Sequence, residues 1–174
     1  MAIKIIVDST CDIDMSMQEA LNINILPLTV HFGDEEFHDG IDISKKDFFL
    51  KMRTAEKSPT TSQVTPQAFE NLFKQYTDEG HDIIVITIAS KLSGTYQSAH
   101  IAKTTLENDS IHLIDSGTTT MGLAWLVYQA IAMREQGLGA DDIVKEIELI
   151  KEKIIIYAMI ENLEYLKKGG RLST

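Results

Sequence analysis

Cysteine and proline are scarce in this chain, and long hydrophobic runs are missing. It has one cysteine, Cys11, and three prolines among 174 residues. A single cysteine cannot form an internal disulfide, which is typical of a protein from a reducing compartment. No apolar run approaches the roughly 18 residues of a membrane-spanning helix, and Asp8 interrupts the apolar N-terminus too early for a signal peptide. We therefore expect a cytoplasmic protein with no transmembrane segment.

Basic residues are also in the minority. Lysine and arginine number 16 against 26 acidic residues, which gives a net charge of −10. A surface with this much negative charge repels the phosphate backbones of nucleic acids. We therefore expect no nucleic-acid partner. With 44% hydrophobic and 24% charged residues, the composition is that of a globular protein with one domain, or one domain and a fragment.

Short apolar runs alternate with helical patterns along the chain. Strands are predicted at residues 3–7, 25–32, 83–88, 110–114 and 154–160, with a brief return strand at 37–41. Helices are predicted at residues 14–21, 44–53, 65–80, 95–106, 119–136, 141–153 and 161–168, and a loop at 58–63. Pro27 makes the 25–32 segment an edge strand or irregular. The alternation predicts an α/β fold with an open, mainly parallel sheet and helices on both faces.

The last predicted strand and helix have no later strand in the sequence with which to build a sheet. We therefore predict an N-terminal α/β domain over residues 1–155. Residues 156–174 would form the opening strand and helix of a truncated second α/β domain.

Common catalytic and cofactor motifs are absent from the sequence. The five histidines and Cys11 show no metal-ligand spacing, and there is neither a Walker loop nor a Gly-x-Gly-x-x-Gly sequence. We predict no metal and no cofactor. Because Cys11 follows a strand and has no assignable histidine partner, we predict a buried, unreactive thiol.

Hydroxyl side chains recur where predicted strands end. They lie at residues 9–10, 90–95 and 116–118, and a further cluster at 60–62 precedes a helix. Ligands of an open parallel sheet bind beyond the carboxyl ends of its strands, where hydroxyls and backbone N–H groups suit a carboxylate or phosphate. The alternative is that these hydroxyls only cap helices and turns. Ser93 lacks the flanking glycines of a nucleophile elbow, which argues against catalysis by this serine.

Several segments together resemble the DegV family of bacterial fatty-acid-binding proteins. The most distinctive match is residues 92–99, Leu-Ser-Gly-Thr-Tyr-Gln-Ser-Ala. Residues 6–12, 27–33, 39–42, 59–63, 114–116 and 163–173 match further family motifs in the family's order. Val64 departs from the pattern, since the family usually has proline there. The family also continues for roughly another hundred residues into a second domain.

The resemblance implies a lipid carrier rather than an enzyme. Family members hold a long-chain fatty acid between two domains and present it to a separate fatty acid kinase, which makes acyl phosphate for phospholipid synthesis. Carried over by motif, the contacts to the fatty-acid carboxylate fall on Thr61, Ser62, Ser93 and Gly94, with Arg171 nearby. We expect the backbone N–H of Gly94 or Thr95 to assist. Two alternatives remain open: a Ser93-dependent acyl or phosphate hydrolase, and a regulatory domain that binds another small anion.

Overall fold

A four-stranded parallel sheet forms the centre of the fold, in the strand order β2-β1-β6-β7. The computed structural model describes residues 2–172. The strands of this sheet are β1 (Ile3–Asp8), β2 (Ile23–Leu26), β6 (Asp82–Thr87) and β7 (Ile111–Asp115). The two central strands are almost continuously apolar because helices cover both of their faces.

Helices pack against both faces of the parallel sheet, as the sequence predicts. They are α3 (Pro66–Asp78), α4 (Thr95–Leu106), α5 (Thr120–Glu135) and α6 (Ala140–Lys151), and a short α1 (Gln18–Leu21) precedes β2. Ile5 and Ile84 face α5 and α6, whereas Ile6 and Val85 face α3 and α4. The carboxyl ends of β1, β6 and β7 therefore open onto a common edge. The predicted α/β fold class is confirmed.

A second, antiparallel sheet lies beside the first, in the strand order β4-β3-β5. Its strands are β3 (Thr29–Phe32), β4 (Glu35–His38) and β5 (Thr60–Ser62), and it packs on α2 (Lys45–Thr54). The segment predicted at residues 25–32 is not one strand, because Pro27 and Leu28 separate β2 from β3; this is the irregularity that Pro27 predicts. The prediction that residues 58–63 form only a loop is also wrong, because β5 pairs with the exposed edge of β3.

The C-terminal segment corrects one further prediction. Residues 154–160 form no strand in the described structure, and α7 (Glu164–Lys168) follows them. Isoleucine and tyrosine favour a strand here, but a strand requires a neighbour for its backbone hydrogen bonds, and this segment pairs with neither sheet. Instead, Ile156 packs against Gly122 near the start of α5. Whether these residues open a second domain stays a prediction.

Among the described residues, no helix is long and apolar enough to cross a lipid bilayer.

Candidate functional site

A cleft of about 360 Å³ lies between β5, α2 and the C-terminal segment. Its lining combines three kinds of side chain. Phe48, Met52 and Tyr165 are apolar or aromatic, Thr60 and Thr61 carry hydroxyls, and Lys168 and Arg171 are basic; Ser58, Pro59 and Gly169 complete it. No acidic residue is among these lining residues, although the chain carries a net charge of −10. The cleft therefore suits a ligand with an anionic group and an apolar part.

Arg171 reaches this cleft because the chain turns sharply after α7. Gly170 adopts a φ of +72°, a left-handed conformation that glycine takes readily, and the N–H of Arg171 donates to the carbonyl of Leu166 at 2.9 Å. The guanidinium then donates from Nε to the carbonyl of Leu92 at 3.1 Å and from Nη1 to the carbonyl of Gly169. The turn thus places a positive charge beside the loop that carries Ser93.

Ser93 lies at the carboxyl edge of the parallel sheet, just before α4. Its Oγ is 2.9 Å from Thr95 Oγ1 and accepts a weaker hydrogen bond from the Thr95 N–H at 3.3 Å. Ser93 is half-buried, whereas Thr95 is fully buried. The buried Thr95 therefore holds the Ser93 hydroxyl in position by a hydrogen bond. Of the two hydroxyls, that of the partly exposed Ser93 is accessible to a ligand.

Thr61 and Ser62 have different surroundings although they are neighbours in β5. Thr61 pairs with Val30 and lines the cleft, whereas Ser62 pairs with Thr29 and is not among the lining residues. Ser62 Oγ lies 2.8 Å from His31 Nε2 instead. The structure thus brings Thr61 and Arg171 into one cleft, with Ser93 on the loop that Arg171 contacts, and directs Ser62 elsewhere.

Two carboxylates that the sequence analysis left out of the site hold these loops in place. Asp8 ends β1 and is fully buried; its Oδ2 accepts from the Ile88 N–H at 2.7 Å, and its Oδ1 accepts from the Thr10 N–H and hydroxyl. Burial raises the pKa of Asp8, an effect that these hydrogen bonds oppose. Asp115 ends β7, and its Oδ1 accepts from the N–H groups of Ser90 and Gly117.

A sequence signal could have identified these two carboxylates. Each is the last residue of an apolar strand and is followed by serine, as Asp8-Ser9 and Asp115-Ser116. A carboxylate in this position can accept from the N–H groups of the loops that leave the strands.

Ser9, Thr10 and Ser116 at this edge form hydrogen bonds within the loops and turns, which is the alternative left open above. Ser9 Oγ accepts from the Leu28 N–H at 3.1 Å, and the Thr10 hydroxyl donates to Asp8. Ser116 Oγ donates to the carbonyl of Thr118 at 3.1 Å. These residues shape turns, whereas Ser58, Thr60 and Thr61 line the cleft and Ser93 lies on the loop that Arg171 contacts.

The described residues hold no catalytic serine–histidine pair at Ser93 and no metal cluster. The side-chain partner of the Ser93 hydroxyl is Thr95 rather than a histidine. Within residues 2–172, no three His, Cys, Asp or Glu side chains are grouped so that they could hold a metal ion.

Comparison with known proteins gives a consistent set of relatives. The chain matches a family model described as "Uncharacterised protein, DegV family" over residues 2–174. A DegV domain-containing protein of Clostridium perfringens is 40% identical over 171 residues, which cover 98% of this chain and 61% of that relative. The chain thus spans about three-fifths of the length of the curated relatives that it matches.

Solved structures agree with the sequence match. DegV of Bacillus subtilis, described as a fatty acid binding protein, matches with a TM-score of 0.86 at 28% sequence identity. The match covers 98% of this chain and 61% of the Bacillus protein. The Fatty Acid Kinase (Fak) B3 protein of Streptococcus pneumoniae, solved with linoleic acid, has a TM-score of 0.83 at 26% identity. It is covered over 62% of its length by 99% of this chain. The first of these structures is described as a fatty acid binding protein and the second holds a fatty acid. The match to the family model over residues 2–174 shows that this chain belongs to the DegV family.

Proposed function

We propose that this chain binds the carboxylate of a long-chain fatty acid at the cleft beside the Ser93 loop. The observation that carries the proposal is the composition of the cleft, which unites the guanidinium of Arg171, hydroxyls and aromatic residues in an acidic protein. Lys168 also lines the cleft, where its ammonium group pairs with Glu164 at 2.6 Å. A carboxylate pairs with the guanidinium of Arg171 and accepts from hydroxyls, while an alkyl chain requires apolar walls. The names of the structural relatives support the same class of ligand.

In this proposal the roles of the site residues differ. Thr61 and Ser93 donate hydrogen bonds to the carboxylate, and the backbone N–H of Gly94 assists at the start of α4. Arg171 supplies positive charge, and Thr95 holds the Ser93 hydroxyl in place. Ser62, which contacts His31, acts on the site only through the backbone of β5.

The proposed partner is a separate fatty acid kinase to which the bound fatty acid is presented for acyl-phosphate formation. The likeness to a protein of the fatty acid kinase system supports this role. A carboxylate at the edge of the sheet, close to an exposed loop, is accessible to such an enzyme. The acyl phosphate would then enter phospholipid synthesis.

Mass spectrometry and a serine substitution test the proposal. In a full-length context, the purified protein should release an intact fatty acid on denaturation, and Ser93→Ala should weaken binding of a fluorescent fatty acid by about 10- to 150-fold. A hydrogen bond to a charged group contributes ~1.5–3 kcal/mol. Ser16→Ala is the matched control, since it removes an exposed hydroxyl that donates to Asp14 and is not among the residues that line the cleft.

The same experiment distinguishes the alternatives. Turnover of a chromogenic ester that Ser93→Ala abolishes would identify a hydrolase. Saturable binding of acetate or phosphate, without binding of the long-chain acid, would identify a regulatory anion site. Unchanged fatty-acid affinity in Ser93→Ala would remove this serine from the binding site.

A further inference from the structure

Gln63 bridges the two parts of the candidate site. It follows β5 directly, two residues after Thr61, and its Nε2 donates a 2.8 Å hydrogen bond to Ser98 Oγ. Ser98 is fully buried on α4, one turn after Gly94. Val64, next along the chain, is buried in the core beneath α3 and α4. The side chain of Gln63 therefore links the end of β5, which carries Thr61, to α4, which begins just after Ser93.

The amide group of Gln63 lies directly against Gly94. A Cβ atom placed on Gly94 would be 2.0 Å from Gln63 Oε1 and 2.7 Å from its Cδ. Gly94 has a φ of −77°, which any residue adopts, so backbone conformation does not require glycine here. Instead, a side chain at this position would displace the amide group of Gln63 from where it now lies.

We infer that Gln63 is a positioning residue that fixes the Ser93 loop relative to Thr61. The contact of Gln63 with Gly94 sets how closely the end of β5 approaches the start of α4. The hydrogen bond to Ser98 sets the orientation of the Gln63 side chain in this contact. Ser93 precedes Gly94 directly, so a change in this contact moves the Ser93 hydroxyl relative to Thr61. The consequence for fatty-acid binding rests on the proposed function, whereas the positioning itself does not.

The first experiment measures positioning without any ligand. Gln63→Met keeps the length of the side chain and removes its hydrogen bond. Gln67→Met is the matched control, because Gln67 donates a similar 3.0 Å hydrogen bond to Asn71 within α3. Amide NMR of the 174-residue chain should show altered chemical shifts and faster hydrogen exchange at residues 92–95 and 60–62 in Gln63→Met alone. Unchanged amides at residues 92–95 would overturn the inference.

The second experiment tests the contact with Gly94 by a double-mutant cycle. Gly94→Ala places a methyl group within the space of the Gln63 amide, so the amides of residues 92–95 should shift strongly. In the Gln63→Ala background the same substitution meets no such obstacle and should shift them much less. Equal effects of Gly94→Ala in the two backgrounds would show that the contact does not position the loop.

The third experiment connects positioning to binding. Gln63→Met should weaken binding of a fluorescent fatty acid by about 3- to 10-fold, the range expected for one lost neutral hydrogen bond, and Gln67→Met should not. Wild-type affinity in Gln63→Met, together with weakened binding in Ser93→Ala, would overturn the role of Gln63 and leave the proposed function intact. Unchanged affinity in Ser93→Ala would refute the proposed carboxylate site, and the ligand-free amides would still decide whether Gln63 positions the loop.

Discussion

Arg171 donates a hydrogen bond from Nε to the carbonyl oxygen of Leu92 across 3.1 Å, although 79 positions separate the two residues in sequence. This bond joins the end of the C-terminal segment to the loop that follows the central strand β6. An arginine that binds a carbonyl through Nε still directs other N–H groups outward, where a carboxylate can accept from them. Because Leu92 directly precedes Ser93, this bond holds the charged guanidinium of Arg171 beside the loop that carries Ser93.

The first prediction concerns this arginine. Arg171→Lys keeps the charge but loses the planar arrangement of N–H groups that can serve Leu92 and a carboxylate together. We expect about 3- to 10-fold weaker binding of a fluorescent fatty acid in Arg171→Lys, and a larger loss in Arg171→Ala, measured by titration.

Arg134 provides the matched control for Arg171. It also donates to backbone carbonyls, those of Leu21 and Asn22, and is not among the residues that line the cleft. Arg134→Lys should leave fatty-acid affinity unchanged. Affinity that is insensitive to both substitutions at Arg171 would refute its role in binding.

A second prediction follows from the buried carboxylate of Asp8. Because burial raises its pKa in the folded protein above the ordinary 3.8, folding favours the protonated form. The contribution of Asp8 to the free energy of unfolding is therefore fully present below about pH 4 and is lost as pH rises through the raised pKa. Asp8→Asn cannot titrate, so the stability difference between wild type and variant should shrink as pH rises.

Urea unfolding at several pH values between 4 and 7 measures this difference. Asp8→Asn should also cost about 1–3 kcal/mol at the acidic end, because its amide NH₂ replaces an oxygen that accepts from a buried N–H. Asp34→Asn, on an exposed turn, is the control and should leave the shape of the pH profile unchanged. A difference between wild type and Asp8→Asn that grows with pH would contradict the predicted direction.

A third prediction concerns the single cysteine. Cys11 is fully buried, and burial, followed by smaller effects of the nearby acids Asp8 and Asp12, raises the pKa of its thiol to about 11. At pH 8 only about 0.1% of the thiol would be ionised, and the thiolate is the reactive form. A disulfide reagent should therefore modify Cys11 within minutes in urea and far more slowly in the native protein. Rapid modification of the native protein at pH 8 would show that β1 and its following turn open readily.

The sequence predicted the parallel sheet and its helices well because their signals are local. Residues 83–88 form a continuous apolar run, and Thr65-Pro66 marks a helix start, which α3 confirms. The antiparallel sheet was harder to predict because β5 has three exposed residues and no apolar pattern. Its strand character comes from pairing with β3, a partner about thirty positions away in the chain.

In the candidate site too, the residues could be named from local sequence motifs, but their contacts with residues distant in the chain could not. Motif resemblance named Ser93 and Arg171, and the structure connects the Arg171 guanidinium to the Ser93 loop. Sequence alone could not show that Thr61 and Ser62 have different surroundings, because this depends on the register of β5 against β3. The contact of Gln63 with Gly94 depends on two loops that meet only in the folded chain.

The last prediction is that this chain alone binds fatty acids weakly, even with its carboxylate site correctly formed. A methylene group removed from water contributes about 0.8 kcal/mol, so roughly fifteen enclosed methylenes contribute up to ~12 kcal/mol. Hydrogen bonds to the carboxylate contribute less, since the carboxylate first loses its water. Affinity therefore depends on enclosure of the tail, and the hydroxyls and Arg171 set its orientation.

Several apolar side chains near the end of the described residues are exposed. Tyr157 and Met159 are 92% and 94% exposed, and Ile155 lies beside them at 74%. The relatives are longer than this chain, so we compare it by fluorescent fatty-acid titration with the full-length Clostridium perfringens relative. A form of that relative shortened to the region matching this chain is the control for sequence differences. The full-length relative should bind at least about tenfold more tightly than either short form, because additional chain covers the tail. Equal affinity in all three proteins would show that one domain encloses the tail, and the ligand would then not lie between two domains.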